Sequence, residues 1–134
     1  MSKVSYYIAK QLEMSFEEAV AAVREALKTE GFGVLTEIDV QATLKEKLDV
    51  GFRKYLILGA CNPPFAHQAL ECEARIGLML PCNVIVHQTP GGGVEVAAID
   101  PVASMQAVEN PSLGKLGLEV RQMLTRVVDH VGAA

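Results

Sequence analysis

Residues 55–63 read YLILGACNP, and this stretch decides the fold. The run from Tyr55 to Ala60 is continuously apolar, which is typical of a strand buried inside a sheet. Asn62-Pro63 then resembles a helix start, because Asn favours the N-cap position and Pro the first helical turn. The stretch therefore predicts a buried strand that leads directly into a helix.

Upstream of this stretch, the sequence predicts two strands and two helices. Residues 4–12 indicate an edge strand, since their two faces differ little in polarity. Ser15 and Glu18 have the spacing of a capping box, which predicts a helix over about 15–30. Two further elements are expected before residue 55: a strand at 33–38, and a short helix that Asp39 caps and Gly51 ends.

Downstream, two strands at 83–89 and 94–99 flank the tip Pro90-Gly91-Gly92-Gly93, which predicts a hairpin. A short helical turn is expected near 102–109. A last helix is then predicted, with Ser112 as its cap and an apolar stripe formed by Leu113, Leu116, Val120, Leu124, Val127 and Val131.

One-sided helices together with an antiparallel hairpin favour an α+β fold, namely a two-layer sandwich with a mostly antiparallel sheet. The chain has 134 residues, a length that favours a single domain over residues 1–134. No internal repeat or linker interrupts it.

Composition narrows the function classes. The net charge is −4, which disfavours binding to the phosphate backbone of nucleic acid. We find neither a signal peptide nor an apolar run of the ~20 residues that a membrane-spanning helix needs, so the expected location is the cytoplasm. Three cysteines, an odd number, suit reduced thiols better than a disulfide framework.

No known catalytic motif is present, and whether the protein is an enzyme is left open. The dipeptide Cys-Asn occurs twice, as Cys61-Asn62 and Cys82-Asn83. Cys61 precedes a predicted helix N-terminus, where unpaired N–H groups and the helix dipole stabilise a thiolate. The alternative is that Cys61 is a small buried residue at a tight turn, which is the commoner situation for a free cysteine.

A metal site is a second possibility for the same region. Cys61, His67 and Cys82 supply three candidate ligands if the fold brings them together, with Glu71 one turn beyond His67. The alternative is that His67 belongs to a solvated helix face, and no cofactor is predicted. Asp100 is a further candidate because it ends a strand, where it is expected to accept hydrogen bonds from loop N–H groups.

The chain resembles domain-of-unknown-function family 302, a bacterial and archaeal group. The matching segments are 39–48, 55–63, 66–70, 76–84 and 98–101, and the positions that fit its signature are Cys61, Asn62, Pro63, His67, Pro81, Cys82, Asn83, Asp100 and Pro101. The resemblance implies a curved antiparallel sheet with helices on one face, similar to the TATA-binding-protein fold. It also implies homodimers, and it carries no established enzymatic activity.

Three functional hypotheses follow. The first is a homodimeric binding module that holds a small molecule or a protein partner near the two Cys-Asn segments, without nucleic acid or membrane. The second is a thiol- or metal-dependent site around Cys61, His67 and Cys82. In the third, Asn62 and Asn83 only satisfy backbone groups at strand ends.

Overall fold

The computed structural model describes residues 5–132. This part of the chain forms five strands, five α-helices and one 3-10 turn. In chain order these are β1 (Tyr7–Leu12), α1 (Phe16–Thr29), β2 (Gly33–Asp39), α2 (Val40–Leu48), β3 (Tyr55–Cys61), α3 (Pro63–Cys72), the 3-10 turn (Ile76–Met79), β4 (Cys82–Gln88), β5 (Val94–Ile99), α4 (Pro101–Ser104) and α5 (Pro111–His130). No helix in this part of the chain is both long enough and apolar enough to cross a membrane.

The five strands form one open antiparallel sheet in the order β1-β5-β4-β3-β2. The predicted α+β class is confirmed, as is the hairpin, because β4 and β5 pair on either side of residues 90–93. β1 lies at one edge, as its sequence predicts, but it begins at Tyr7. Of the expected strand 4–12, position 4 falls outside the described residues and positions 5 and 6 are not in the strand. β3 is an internal strand, as the apolar run at 55–60 predicts.

The core lies between one face of this sheet and the two long helices. Alternate residues of the strands point toward the helices, and they are completely buried at the centre. Each such side chain contributes about 1.5–3 kcal/mol by leaving water. The main members are Leu58, Val84, Val86 and Val96 from the sheet, Val23 and Leu27 from α1, and Leu124 and Val127 from α5.

Capping explains where the helices begin. Ser15 Oγ accepts from Glu18 N–H at 3.1 Å, and the Glu18 carboxylate accepts from Ser15 N–H at 3.2 Å, so the predicted capping box is confirmed. Asp39 caps α2 by accepting from Ala42 N–H, also as predicted. The expected cap of the last helix is wrong. Asn110, not Ser112, lies at the N-cap of α5, because the Asn110 side chain accepts from the N–H of Ser112 itself.

Two other predicted boundaries are shifted. α2 ends at Leu48 and not at Gly51 as predicted, because Asp49 adopts the left-handed conformation that stops the helix. The short helical turn expected near 102–109 is present as α4, but it runs from Pro101 to Ser104 and begins one residue earlier than expected, after the N-cap Asp100.

The second face of the sheet carries an apolar row. A bulge between Val34 and Thr36 changes which side chains of β2 point to this face. The register then aligns one residue from each strand across the sheet, in the row Ile38–Ile57–Ile85–Ala97–Ala9. We call this surface the open face. Ile38, on the edge strand β2, keeps 48% of its area exposed.

Lys10 connects the first strand with the end of the last helix. Its ammonium group donates to the carbonyl of Asp129 at 3.0 Å and to that of Val131 at 2.7 Å. Carbonyls in the last turn of a helix have no partner within the helix, and a cation there also complements the helix dipole. Lys10 therefore completes the C-terminus of α5 from the edge of the sheet.

Candidate functional site

Asn62 lies where β3 turns into α3, and its side chain reaches across to α1. It occupies the N-cap position, but its side chain makes no capping hydrogen bond, so this part of the sequence prediction is wrong. The amide Nδ2 instead donates to the backbone carbonyl of Glu30 at 3.1 Å. Pro63 does occupy the first helical turn, as predicted. Asn62 therefore ties the start of α3 to the end of α1, with only 8% of its surface exposed.

The two Cys-Asn segments meet at one end of the sheet. Ala60 pairs with Cys82 across β3 and β4, which places Cys61 one residue further along. Cys82 is buried, Cys61 is half-buried, and both line the same cavity. Asn83 is exposed and does not line that cavity. The structure thus brings together Cys61, Asn62 and Cys82 but leaves Asn83 apart.

This cavity has a volume of about 350 Å³ and an almost entirely apolar lining. Its floor is formed by the last residues of β3 and the first residue of β4. Its walls are α3, α5 and the turn after β5. The wall from α3 consists of Phe65, Ala66, Ala69 and Leu70, and the wall from α5 of Leu113, Leu116, Gly117 and Val120. Leu35 and Leu70 line it while remaining exposed, so they stand at its mouth.

Asp100 lies outside the cavity and joins the α4 turn to α5. Its Oδ1 accepts from the N–H of Val102 at 3.0 Å, as predicted for a residue that ends a strand. Its Oδ2 lies 3.4 Å from Nε of Arg121 on α5. Asp100 itself does not line the cavity, whereas the next residue, Pro101, does. Asp100 therefore positions the α4 turn against α5 and has no contact with the cavity interior.

Burial and, to a smaller extent, the neighbouring Cys61 raise the pKa of the Cys82 thiol to about 11. Removal from water penalises the charged thiolate much more than the neutral thiol. At neutral pH Cys82 is therefore protonated, and it presents the cavity with a weakly polar, uncharged surface.

His67 is directed away from the cavity. It lies on the outer side of α3 with 78% of its side chain exposed, where it pairs with Glu71 at 3.2 Å. Between residues 5 and 132, no group of three or more His, Cys, Asp and Glu side chains could hold a metal ion. Cys61, His67 and Cys82 are therefore not assembled as a ligand set, because the helix turns His67 to solvent while the cysteines face inward.

The α5 wall was not identified from the sequence, where its apolar stripe indicated only core packing. The signal that could have pointed to it is Gly117, since a glycine inside a helical pattern often marks a close approach of backbones. A Cβ atom at Gly117 would lie 3.7 Å from the carbonyl oxygen of Pro101. The helix therefore passes close to the α4 turn, and the two close one side of the cavity.

Comparisons with known proteins agree on the family and give no function. A family model described as "Domain of unknown function DUF302" matches residues 8–131. The crystal structure of an uncharacterised conserved DUF302 protein from Bacillus stearothermophilus superposes with a TM-score of 0.89. It is 26% identical in sequence, and the match covers 96% of this chain and 99% of that chain. No curated protein matches the sequence.

Proposed function

Since the chain belongs to the DUF302 family, whose description assigns no activity, we propose a function from the site itself: the domain binds a small molecule in the apolar cavity at the end of the sheet. The observation that carries this proposal is the cavity of about 350 Å³ beside Cys61, Asn62 and Cys82. Ligand sites of small molecules are typically clefts of ~300–1,000 Å³ with apolar walls and few polar groups.

Small side chains keep the cavity open. The α3 wall offers Ala66 and Ala69, and the α5 wall offers Gly117, at positions where larger residues would fill the space. Because the cavity opens at Leu35 and Leu70, its apolar walls face water when it is empty, and apolar surface in contact with water is unfavourable. A cavity of this size in a 134-residue domain therefore has to be explained, and a ligand that fills it is the explanation we favour.

Filling the cavity should abolish ligand binding. We expect the neutral fluorescent probe N-phenyl-1-naphthylamine to bind wild-type protein with saturable 1:1 stoichiometry. Ala66→Phe places an aromatic ring in the cavity and should weaken this binding by about a hundredfold or more, the scale on which a lost apolar contact surface acts. A fluorescence titration measures both affinities.

The matched control is Ala21→Phe, since Ala21 is an exposed alanine on α1 that does not line the cavity. Its probe affinity should equal that of the wild type. Thermal melts of both variants without probe show whether each is folded. Equal probe binding in wild-type protein and folded Ala66→Phe would show that the cavity is not the site.

We also propose that two copies of the chain associate through the open face. The row around Ile57 and Ile85 is apolar and runs across all five strands, and Tyr7 at the sheet edge is 49% exposed. An apolar row that is partly left in water and is bordered by polar side chains, here Gln11, His87 and Glu95, is characteristic of an interaction surface. A second copy suits it because a flat row of similar side chains can pair with itself about a two-fold axis.

Ile38→Lys should dissociate such a dimer. The new ammonium group would lie in the interface twice, once from each copy, and we expect the dissociation constant to rise about a hundredfold. Analytical ultracentrifugation should then show the 14.4 kDa monomer in place of a species of twice that mass. Leu78→Lys is the control, since Leu78 is 84% exposed in the 3-10 turn, outside the sheet. A monomeric wild type would overturn this proposal and leave the cavity proposal intact.

A thiol site is the second candidate function, favoured by the placement of Cys61 and Cys82 on the same cavity. The raised pKa of Cys82 opposes it, because the protonated thiol is a poor nucleophile. Iodoacetamide at neutral pH distinguishes the two functions. Faster modification of Cys61 than of the exposed Cys72 supports a thiol site, and slower modification favours ligand binding.

A further inference from the structure

We infer that the cavity holds an uncharged hydrocarbon group without a hydrogen-bonding atom, and that any polar group on the ligand lies outside the mouth, in water. This inference rests on the proposed function, because it takes the cavity to be a ligand site. It specifies the chemical class of the part of the ligand that is buried.

The lining offers no charge to a ligand. Among the described residues that line the cavity there is no Lys, Arg, His, Asp or Glu. An ionised group that leaves water needs a countercharge or several hydrogen bonds to offset its lost hydration. Cys82 supplies no countercharge, because burial keeps its thiol protonated at neutral pH. The interior therefore excludes ionised groups.

The three helices that begin beside the cavity offer it few free N–H groups, although such groups at a helix start normally bind anions. α3 begins with Pro63 and Pro64, which have no N–H. α4 and α5 begin with Pro101 and Pro111, and in each helix the next N–H is already bonded to the side chain of the N-cap residue. These helix starts therefore lack the cluster of free N–H groups that binds a phosphate or a carboxylate.

No described polar side chain of the lining has a buried nitrogen or oxygen that lacks a hydrogen-bond partner. Between residues 5 and 132, such atoms belong to Arg53 and His87, neither of which lines the cavity. Asn62 does line it, but its Nδ2 donates to the carbonyl of Glu30 in the turn after α1. A donor or acceptor on the ligand would therefore lose its hydration inside the cavity without gaining a partner.

Apolar side chains continue around the mouth of the cavity. Leu35 and Leu70 line it while remaining exposed. Gly77 lines it as well, and the next two residues, Leu78 and Met79, are exposed. A polar group on the ligand is therefore fully hydrated only beyond this apolar rim. A molecule with polar groups at both ends does not fit, since one of its ends would be buried.

The volume limits the size of the buried group. About 350 Å³ is at the small end of ligand cavities. Two fused rings or a short alkyl chain suit such a space. The class therefore comprises small aromatic and aliphatic hydrocarbon groups.

Two matched pairs of competitors test the class by displacing N-phenyl-1-naphthylamine from wild-type protein. 1,5-Naphthyridine has nearly the shape of naphthalene but carries one nitrogen in each ring. Octane-1,8-diol differs from 1-octanol by a second hydroxyl group at the far end of the chain. We expect naphthalene and 1-octanol to displace the reporter, and the naphthyridine and the diol to need concentrations at least about thirtyfold higher, because they bury polar atoms without a partner. Displacement by the naphthyridine or the diol within about threefold of its counterpart would overturn the class.

An amide placed in the lining should reduce this preference. Leu116 on α5 lines the cavity and is half-buried. We expect Leu116→Gln to lower the preference for naphthalene over the naphthyridine about fivefold, the scale of one net hydrogen bond. Leu118→Gln is the control, because Leu118 is exposed on the same helix and does not line the cavity. Thermal melts show whether both variants are folded. An unchanged preference in folded Leu116→Gln would contradict a role of the lining in the selection.

The same titrations distinguish a wrong ligand class from a wrong function. If the reporter does not bind, the proposed function fails. If the reporter binds and Ala66→Phe blocks it, but the naphthyridine competes as well as naphthalene or neither hydrocarbon competes, the class is wrong and the cavity remains the site.

Discussion

Gly59→Ala is expected to lower the free energy of unfolding by about 3 kcal/mol, the upper range for an overpacked core. Gly59 lies in the middle of β3, opposite Thr36 on β2. A Cβ atom there would overlap Thr36 Oγ1 and would approach Pro81 Cγ to 2.8 Å. Pro81 is a rigid ring and Thr36 belongs to a paired strand, so neither can move away freely. Urea denaturation monitored by circular dichroism measures the change.

Two further variants show whether this clash is the cause. Gly51→Ala is the control, because a Cβ atom at Gly51 meets no other heavy atom within 4 Å. Its stability should stay within about 0.5 kcal/mol of the wild type. Thr36→Ala combined with Gly59→Ala removes the overlapping oxygen and should recover part of the loss, with the Pro81 contact accounting for the rest. A double variant no more stable than Gly59→Ala alone would contradict this explanation.

The stability of the wild type should fall by about 2–3 kcal/mol between pH 9 and pH 11 because of Cys82. In the unfolded chain this thiol loses its proton near its ordinary pKa of 9.0, whereas in the folded protein its pKa is about 11. Between these values the unfolded state releases a proton that the folded state keeps. The stabilisation is therefore complete below pH 9 and is lost as the pH approaches 11.

Comparing three proteins under reducing conditions isolates this contribution. Ionisations elsewhere in the chain affect the wild type, Cys82→Ala and Cys72→Ala alike, so they cancel in the comparison. Stability should fall less steeply with pH in Cys82→Ala than in the wild type. Cys72→Ala should follow the wild type, because Cys72 is exposed. Parallel curves for all three proteins would mean that Cys82 ionises freely in the folded state, and the thiol hypothesis would then gain support.

The fold could be predicted largely from local signals. The capping box at Ser15, the apolar run at 55–60 and the glycine-rich tip at 90–93 each determine an element through interactions within a few residues. The shifted helix starts and ends have a local cause as well. Asn110 caps α5 in place of Ser112, and Asp49 ends α2 in place of Gly51. In both cases two residues close in sequence could end or begin the helix, and the hydrophobic pattern does not determine which of them does.

The site could be predicted only in part. Cys61, Asn62 and Cys82 were identified because they lie at strand ends, and the sheet register brings them together. The cavity itself was not predictable, because the stripe that includes Leu113 and Leu116 looks the same whether the space beside it is filled or empty. Whether that space is filled depends on the volumes of side chains distant in sequence, such as Ala66 and Gly117.

The contact that Lys10 makes with the end of α5 has a consequence for protein engineering. Because Lys10 lies in the second half of β1, its contact with the carbonyl of Val131 at 2.7 Å holds the end of α5 beside the end of that strand, away from its start at Tyr7. A glycine-serine linker from the end of α5 to the start of β1 would therefore have to run back along the strand by about 10 Å, the length of three extended residues. New termini could be opened at the exposed hairpin tip around Gly91 and Gly92. Such a circular permutant would keep all five strands paired. It would also leave the cavity unaltered, because the cavity lies at the opposite end of β4 from the hairpin tip.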